Sequence, residues 1–226
     1  MEALDGATLS YRHPRSGEWA HDVRDPLREA IQVSVEPAWE LRPPHTGERF
    51  SSLEVGFGRG LNSATLLRKL RLEGVAPSWL QLDGCEANPD LLIPWPPLPE
   101  PWQGCAPWWG KASGAWPLEA PVGEARVEAE AAPACLLEGS SMGPTARYDW
   151  IFLDLFSPSG HPEDWQPGLL EALTAVALPG AVLTSYTCAR TIRDSLTALG
   201  WKVERLRRPG IRDTLRAQLA PLRPRS

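Results

Sequence analysis

Apolar and polar positions recur along this chain in two rhythms. Short apolar runs that end at glycine, proline or an acid have the length of buried strands, and longer stretches with apolar residues three or four positions apart have the period of amphipathic helices. The helix period is clear in Leu27, Ile31 and Val35, which follow a possible capping residue, Asp25, and Pro26. The pattern predicts seven strands, at 49–55, 79–86, 124–130, 150–153, 181–187, 201–206 and 214–219, and helices at 26–35, 62–72, 167–177 and 189–199.

Strands that alternate with helices are typical of an α/β fold, in which helices cover both faces of a mostly parallel sheet. A chain of 226 residues suits one such domain. We expect residues 1–48 to form an N-terminal lid or adaptor and residues 49–226 to form the domain. Residues 91–121 are rich in Trp and Pro, which predicts an irregular excursion over one face of the sheet. We expect its tryptophans to pack on the core rather than to stack on a nucleobase.

A glycine-rich stretch follows the first predicted strand and reads E-V-G-F-G-R-G-L-N from Glu54 to Asn62. Glycines let a loop take left-handed backbone angles and let a ligand lie against the main chain, and the next helix presents free N–H groups to that ligand. A dinucleotide fingerprint would need a third glycine where Leu61 stands, which disfavours a NAD site. An acid followed by G-x-G-x-G is similar to the cofactor loop of Rossmann-like S-adenosylmethionine (SAM) methyltransferases, and a glycine turn without a ligand is the alternative. The candidate cofactor residues are Glu54, Gly56, Gly58, Gly60 and Asn62.

Acids also stand at the ends of the next predicted strands. Nucleosides bind α/β sheets beyond the carboxyl ends of the strands, where a carboxylate can accept hydrogen bonds from both ribose hydroxyls. Glu86 is the candidate for this contact, and Asp83 is its competitor. At the end of the third strand, Glu130 or alternatively Glu128 would lie near the adenine.

The run 150–153 is apolar on both faces and is followed by Asp154 and Phe156. A buried central strand of this kind places Asp154 at the mouth of the site, where a carboxylate can orient a nucleophile. We therefore predict Asp154 as the catalytic residue. His21 and Asp22 form a second catalytic candidate, although a single histidine in an N-terminal segment more often packs or lies at the surface.

Composition and charge exclude several classes of protein. The net charge of −5 argues against a uniformly basic nucleic-acid binder, but ten basic and three acidic residues from Arg190 onward would form either a phosphate-binding face or a solvated surface. The four cysteines form no C-x-x-C pair and the four histidines are scattered, so we expect neither a metal site nor a disulfide framework. Without a signal peptide or an apolar run of membrane-spanning length, we expect a cytoplasmic protein that does not contact a membrane.

Together these motifs resemble the methyltransferase half of the MnmC family, which forms 5-methylaminomethyl-2-thiouridine at the wobble position of certain tRNAs. The family's E-x-G-F-G-x-G-L-N motif is matched from Glu54 to Asn62, and its F-L-D-x-F-x-P-x-x-x-P-x-x-W motif from Phe152 to Trp165. The segment from Thr184 to Trp201 is similar to the family's T-x-T-x-A-x-x-V-R-R…G-F. The chain departs from the family pattern at His161, at Ala129-Glu130 and at Arg212-Asp213.

The resemblance implies a Rossmann-like, SAM-dependent methyltransferase with SAM as cofactor and the anticodon loop of tRNA as substrate. It implies methyl transfer to the exocyclic amine of 5-aminomethyl-(2-thio)uridine; a methyltransferase acting on a small molecule, or a module that binds without turnover, is the alternative. Phe156, His161 and Trp165 would lie at the substrate, with Phe156 on the target base. The FAD-binding oxidoreductase half has no counterpart here, so the chain resembles stand-alone members, for which a separate FAD-dependent oxidoreductase is a candidate partner.

Overall fold

The computed structural model describes residues 10–13, 16–88, 91, 105–107, 114–129, 132, 134–136 and 147–221. Its strands are β1 (Arg49–Val55), β2 (Trp79–Cys85), β3 (Gly114–Glu119), β4 (Val122–Glu128), β5 (Tyr148–Leu153), β6 (Ala177–Ser185), β7 (Trp201–Leu206) and β8 (Thr214–Leu219). These eight strands form one sheet in the order β3-β4-β2-β1-β5-β6-β8-β7.

The helices precede, separate and flank these strands. They are α1 (Pro26–Glu29), a π-helical turn (Ala30–Val35), α2 (Glu36–Leu41), α3 (Leu61–Leu72), α4 (Leu169–Val176) and α5 (Arg190–Ala198), with 3-10 turns at Ala134–Leu136 and Pro162–Asp164. The element order confirms the predicted α/β fold.

The sheet is mostly parallel, as predicted. β1 pairs in parallel with β2 and β5, and the parallel ladder continues to β4 on one side and β6 on the other. β8 is antiparallel to both β6 and β7. All seven predicted strands are present, and β3 is an eighth, antiparallel to β4. The prediction of an irregular excursion was wrong for Gly114–Glu119, because an edge strand tolerates a residue such as Pro117 that lacks an N–H group.

Helices cover both faces of the sheet because the central strand is apolar on both. Trp150 and Phe152 of β5 pack with α3 and the N-terminal helices. Ile151 and Leu153, which point to the other face, pack with α4 and α5. β5 is buried along its whole length, which fixes the position of the residues that follow it.

The N-terminal helical segment is longer than predicted. It runs without interruption from Pro26 to Leu41, and the Asp25 side chain caps it by accepting a hydrogen bond from the Arg28 N–H (2.9 Å). The π-helical turn lies directly ahead of Pro37, whose missing N–H leaves the carbonyl one turn earlier without its usual donor. The segment packs on α3 and β6.

Two cysteines overturn one expectation. Cys85, the last residue of β2, forms a disulfide with Cys135 in the 3-10 turn, whereas Cys105 and Cys188 are not disulfide-bonded. The expectation of no disulfide was wrong because 50 residues separate the pair and only the folded chain brings them together. Within the described ranges, no group of His, Cys, Asp or Glu could hold a metal ion. A search of the same ranges finds no helix long and apolar enough to cross a membrane.

Candidate active site

A cleft of about 1120 Å³ opens at the carboxyl ends of β1, β2 and β5. It is lined by the residues that follow these strands: Gly56 and Gly58 after β1, Glu86 after β2, and Asp154 and Phe156 after β5. Residues from the N-terminal segment, from α1 and from the turn between β7 and β8 complete the wall. Open α/β sheets bind ligands at this edge, which makes the cleft the candidate site.

The glycine loop leaves bare backbone at the cleft. Gly56, Gly58 and Gly60 all have left-handed angles, with φ of 77°, 52° and 70°. A Cβ on Gly56 would come within 2.6 Å of the Asp154 carbonyl oxygen, so this position excludes any larger residue. The Gly56 N–H also donates to the Cys85 carbonyl (3.1 Å), which ties the loop to the end of β2.

Glu54 lies behind the loop and does not line the cleft. Its Oε2 accepts hydrogen bonds from the Ser63 N–H (3.0 Å) and hydroxyl (2.5 Å), and its Oε1 accepts one from Asn62 Nδ2 (2.9 Å), so it caps the start of α3. Burial raises the pKa of Glu54 to about 7, with a further contribution from the charge of Asp154, against the hydrogen bonds from Ser63.

Glu86 joins the end of β2 to the glycine loop. Its Oε2 accepts a hydrogen bond from the Gly58 N–H (2.6 Å), and its Oε1 accepts one from the Asn88 N–H (2.8 Å). Burial raises the pKa of Glu86, and these two hydrogen bonds oppose the change. The carboxylate lines the cleft where the sequence predicts a ribose contact.

Asp83, the competing candidate for the ribose contact, forms hydrogen bonds outside the cleft. Its carboxylate accepts hydrogen bonds from the Tyr148 hydroxyl (2.7 Å) and from Arg126 Nη2 (3.2 Å), and it is buried outside the cleft. Glu130, the predicted adenine contact, lies outside the described residues. Its alternative, Glu128, accepts the Glu86 N–H through its backbone carbonyl (3.0 Å).

Asp154 and Glu54 share one asparagine. Asn62 Nδ2 donates to Glu54 Oε1 (2.9 Å) and to Asp154 Oδ2 (2.8 Å), so its two amide hydrogens connect the two carboxylates. Burial raises the pKa of Asp154, against the charge of His21 and the hydrogen bond from Asn62. The Asp154 N–H donates to the Val55 carbonyl (2.8 Å), which holds the residue directly beside the glycine loop.

The N-terminal segment brings His21 into the cleft. Its Nδ1 lies 3.6 Å from Glu29 Oε2 and 4.0 Å from Asp154 Oδ2. Asp22, the other half of the sequence candidate, instead pairs with Arg24 (2.5 Å). Sequence reasoning missed Glu29, because nothing in the short helix α1 distinguishes this acid from a solvated one.

Phe156 lines the cleft, and the other two predicted substrate residues lie behind it. Trp165 Nε1 donates to the Phe156 carbonyl (2.8 Å), and the His161 ring centroid lies 4.8 Å from that of Phe156. His161 is only 2% exposed, and its Nε2 is 2.7 Å from the Ser16 hydroxyl. Substrate contact by His161 and Trp165 stays a prediction; in this structure they hold Phe156 and the N-terminal segment in place.

Tyr186 and Arg212 also line the cleft; sequence reasoning gave Tyr186 no role and counted Arg212 only among the basic residues from Arg190 onward. The Arg212 guanidinium carbon lies 5.8 Å from the centroid of the Tyr186 ring. The Tyr186 hydroxyl is buried and has no hydrogen-bond partner among the described residues. Tyr186 directly follows β6, and this position at a carboxyl strand end is the signal that could have found it.

Comparison with known proteins identifies the class. A family described as S-adenosyl-L-methionine-dependent methyltransferase matches residues 119–220. The crystal structure of MNMC2 from Aquifex aeolicus superposes with a TM-score of 0.74 at 26% identity, covering 96% of this chain and 69% of that chain. The chain belongs to the SAM-dependent methyltransferases.

Its curated relatives are larger proteins. The tRNA 5-methylaminomethyl-2-thiouridine biosynthesis bifunctional protein MnmC of Acidovorax sp. (strain JS42) is 31% identical over 234 residues, which cover 96% of this chain and 34% of that protein. The MnmC protein of Caulobacter vibrioides is 32% identical over 182 residues, which cover 76% of this chain and 30% of that protein. The methyltransferase therefore spans about a third of the length of these relatives.

The cleft of the methyltransferase fits its cofactor, SAM. The backbone at Gly56 and Gly58 is open to a ligand, and a Cβ at position 56 would fill that space. The buried carboxylates of Glu54 and Glu86 and the partly buried carboxylate of Asp154 favour a ligand that carries positive charge, as SAM does on its sulfonium and amino groups. The predicted cofactor loop and the predicted catalytic acid therefore meet in one cleft.

The basic C-terminal part of the methyltransferase is largely paired within the fold. Five of its arginines contact acids: Arg190 with Asp194, Arg205 and Arg207 with Asp213, Arg208 with Glu36 and Glu40, and Arg216 with Glu40 and Glu204. Arg212 instead lies at the cleft over Tyr186. Arg216 is buried rather than solvated, and Arg212 is the described member of the group that lines the cleft.

Proposed function

We propose that this methyltransferase transfers the methyl group of SAM to the exocyclic primary amine of 5-aminomethyl-(2-thio)uridine at the wobble position of tRNA. The observation that carries the proposal is the single cleft in which the glycine loop, Asp154 and Phe156 meet. The names of the MnmC relatives support the nucleoside, and the aromatic ring of Phe156 beside a carboxylate suits a base that has left the anticodon stack.

We assign each predicted residue a role in this reaction. Gly56, Gly58 and Gly60 carry the amino-acid end of SAM, with Asn62 and the charge of Glu54 behind them. Glu86 binds the ribose, and Glu130 contacts the adenine. Phe156 packs on the target base, supported by His161 and Trp165.

SAM supplies an electrophilic methyl group, which the acceptor nitrogen attacks in line as the carbon–sulfur bond breaks. The protein must therefore orient the amine, exclude water and keep the nitrogen lone pair free. Asp154 is suited to orient the amine because its carboxylate lines the cleft and its backbone is fixed against Val55.

The N-terminal segment is proposed to act as a lid. Glu18 accepts hydrogen bonds from the N–H (3.3 Å) and the hydroxyl (3.0 Å) of Ser157, so the segment lies across the loop that follows β5. Covering the cleft in this way would exclude water during transfer. With tRNA as the substrate, we expect the activity in the cytoplasm, and a separate FAD-dependent oxidoreductase stays a predicted partner.

The test is methyl transfer from labelled SAM to three acceptors. These are a tRNA with 5-aminomethyluridine at the wobble position, the same tRNA with unmodified uridine, and the free 5-aminomethyluridine nucleoside. We expect label in the first acceptor alone, with a rate that falls steeply as salt is raised, because phosphate contacts release counterions.

Equal methylation of the free nucleoside, indifferent to salt, would overturn the tRNA assignment in favour of a small-molecule methyltransferase. SAM binding without label in any acceptor would indicate a module that binds SAM without transferring its methyl group. Repeating the assay with a 2-thiolated tRNA then decides whether the sulfur atom is required.

A further inference from the structure

His21 is fixed in the cleft from two directions. Its backbone N–H donates to the Ser10 hydroxyl oxygen, and its carbonyl accepts from the same hydroxyl, each at 3.0 Å. Its ring Nδ1 faces Glu29 Oε2 at 3.6 Å. The side chain is only 13% exposed and lines the cleft, so the imidazole is held in one orientation inside the site.

This arrangement leaves one ring nitrogen available. Among the described residues, Nε2 of His21 has no hydrogen-bond partner, whereas Nδ1 faces Glu29. A carboxylate beside Nδ1 orients the ring and favours the tautomer in which Nε2 can accept a proton. Glu29 is itself held, because its Oε2 accepts the Asp22 N–H (2.5 Å).

The proposed reaction requires a proton acceptor. A primary amine with an ordinary pKa of about 10 enters the cleft as an ammonium ion, which has no lone pair for attack on a methyl group. One proton must leave the ammonium group before transfer. The nitrogen then forms its bond to the methyl carbon while the carbon–sulfur bond breaks, and the electron pair of that bond remains on sulfur. The product departs as a secondary ammonium ion. The balance is one proton released per turnover.

We propose that His21 is the general base that takes this proton, that Glu29 is the positioning residue that orients it, and that Asp154 binds the ammonium group beside it. This proposal rests on the proposed function. The 4.0 Å between His21 Nδ1 and Asp154 Oδ2 places the imidazole next to the carboxylate that would bind the amine. After methyl transfer, the imidazolium returns its proton to solvent.

The groups around His21 favour its protonation. Burial lowers the pKa of His21, but the hydrogen bond to Glu29 and the charges of Asp154, Glu29 and Glu54 outweigh burial and raise the pKa above the ordinary 6.5. Arg212, from the turn between β7 and β8, faces Glu29 and partly offsets that negative charge. A base with a pKa near the working pH is the most effective, and below that pKa His21 can no longer accept a proton.

The test is the pH profile of kcat/KM for methylation of the 5-aminomethyluridine tRNA by the wild type and by His21→Gln. We expect the wild-type rate to fall on the acid side of a pKa above 6.5, and the variant to lose about 10²-fold at neutral pH. The deficit should shrink as the pH approaches 10, where the amine deprotonates unaided. His45→Gln is the matched control, because His45 is exposed and lines a different pocket.

Further variants separate a proton acceptor from a structural residue. Glu29→Gln should move the acid limb of the profile to lower pH, since it removes the carboxylate that raises the pKa of His21. Imidazole added to His21→Ala should restore activity, and the Kd for SAM, measured by calorimetry, should stay within about threefold in every variant, which also shows that each one folds.

A His21→Gln deficit of equal size at every pH would overturn the proposal, and so would a variant as active as the wild type. In both cases the wild type still methylates the tRNA, so the proposed function stands. A wild type that labels no aminomethyluridine tRNA would instead remove the proposed function, and this inference with it.

Discussion

Gly56 and Asp154 lie so close that a Cβ on the glycine would come within 2.6 Å of the aspartate carbonyl oxygen. The contact joins the end of β1 to the end of β5, and the Asp154 N–H reinforces it by donating to the Val55 carbonyl (2.8 Å). The proposed cofactor loop and the proposed catalytic acid are therefore one rigid unit.

Gly56→Ala should separate this close approach from ordinary backbone strain. The matched control is Gly74→Ala, because Gly74 also has a left-handed angle (φ of 64°) but has no atom within 4 Å of an added Cβ. Both variants carry a cost of about 1–2 kcal/mol for that angle. Overpacking should lower the free energy of unfolding of Gly56→Ala by about 1–3 kcal/mol more. This variant should also lose SAM binding. Urea unfolding and calorimetry measure both; equal effects in the two variants would contradict the contact.

Glu86→Ala should weaken SAM binding by about tenfold to a hundredfold, the worth of one or two hydrogen bonds to a charged group. Calorimetry with SAM, and with NAD as the ligand that should not bind, measures this loss. Asp83→Asn is the control for the competing strand-end acid. It disturbs the buried contacts with Arg126 and Tyr148, so it should lower the free energy of unfolding while the folded fraction keeps its affinity for SAM. Loss of SAM binding in the Asp83 variant alone would reverse the assignment.

Asp154→Asn should keep SAM binding within a few-fold and lower kcat by about 10²–10³, because the amide has the shape of the carboxylate but not its charge. The comparison variant is Asp22→Asn, in which the altered carboxylate pairs with Arg24. Single-turnover methylation of the tRNA measures the chemical step directly. Loss of turnover in Asp22→Asn rather than in Asp154→Asn would contradict the catalytic role of Asp154.

The sheet was predictable from the chain because its strands are apolar runs with clear ends. The run 150–153 is apolar on both faces, which predicts a buried strand without reference to the rest of the chain. The position of Asp154 at the mouth of the cleft therefore followed from local sequence. Glu86 followed from the same rule at the end of β2. β3 was not predictable because its proline and exposed positions resemble a loop, and only its pairing with β4 makes it a strand.

The sequence named His21 as a candidate but predicted neither Glu29 nor the approach of His21 to Asp154, because both depend on contacts between distant segments. His21 and Glu29 reach Asp154 only because the N-terminal segment folds back over the sheet, as the bond between Ser16 and His161 shows. The proximity of Cys85 to Cys135 has the same origin. Spacing along the chain carries no information on contacts between distant segments. It does predict a loop such as 54–62, because the residues of that loop are neighbours in sequence.

The protein without SAM should become less stable as the pH rises from about 5 to 7. The pKa of Glu54 is about 7 in the folded protein against an ordinary 4.5, and burial raises those of Glu86 and Asp154 as well. A carboxyl whose pKa rises on folding binds its proton more tightly in the native state, so its contribution is present below pH 4.5 and is lost between that value and the folded pKa. The raised pKa of His21 acts in the same direction, since its stabilising protonation is lost as the pH passes 6.5 and then its folded value.

Urea unfolding at several pH values between 5 and 7 measures this slope, and Glu54→Gln should flatten it. The pKa values of Glu29 and Asp22 are lowered instead. These shifts change the stability only below pH 4.5, outside the interval from pH 5 to 7. SAM carries positive charge, so its affinity should rise over the same interval as the carboxyls ionise. Stability that is constant or increases from pH 5 to 7 would show that these carboxyls are already ionised in the folded protein at pH 5, and SAM affinity would then not rise over this interval.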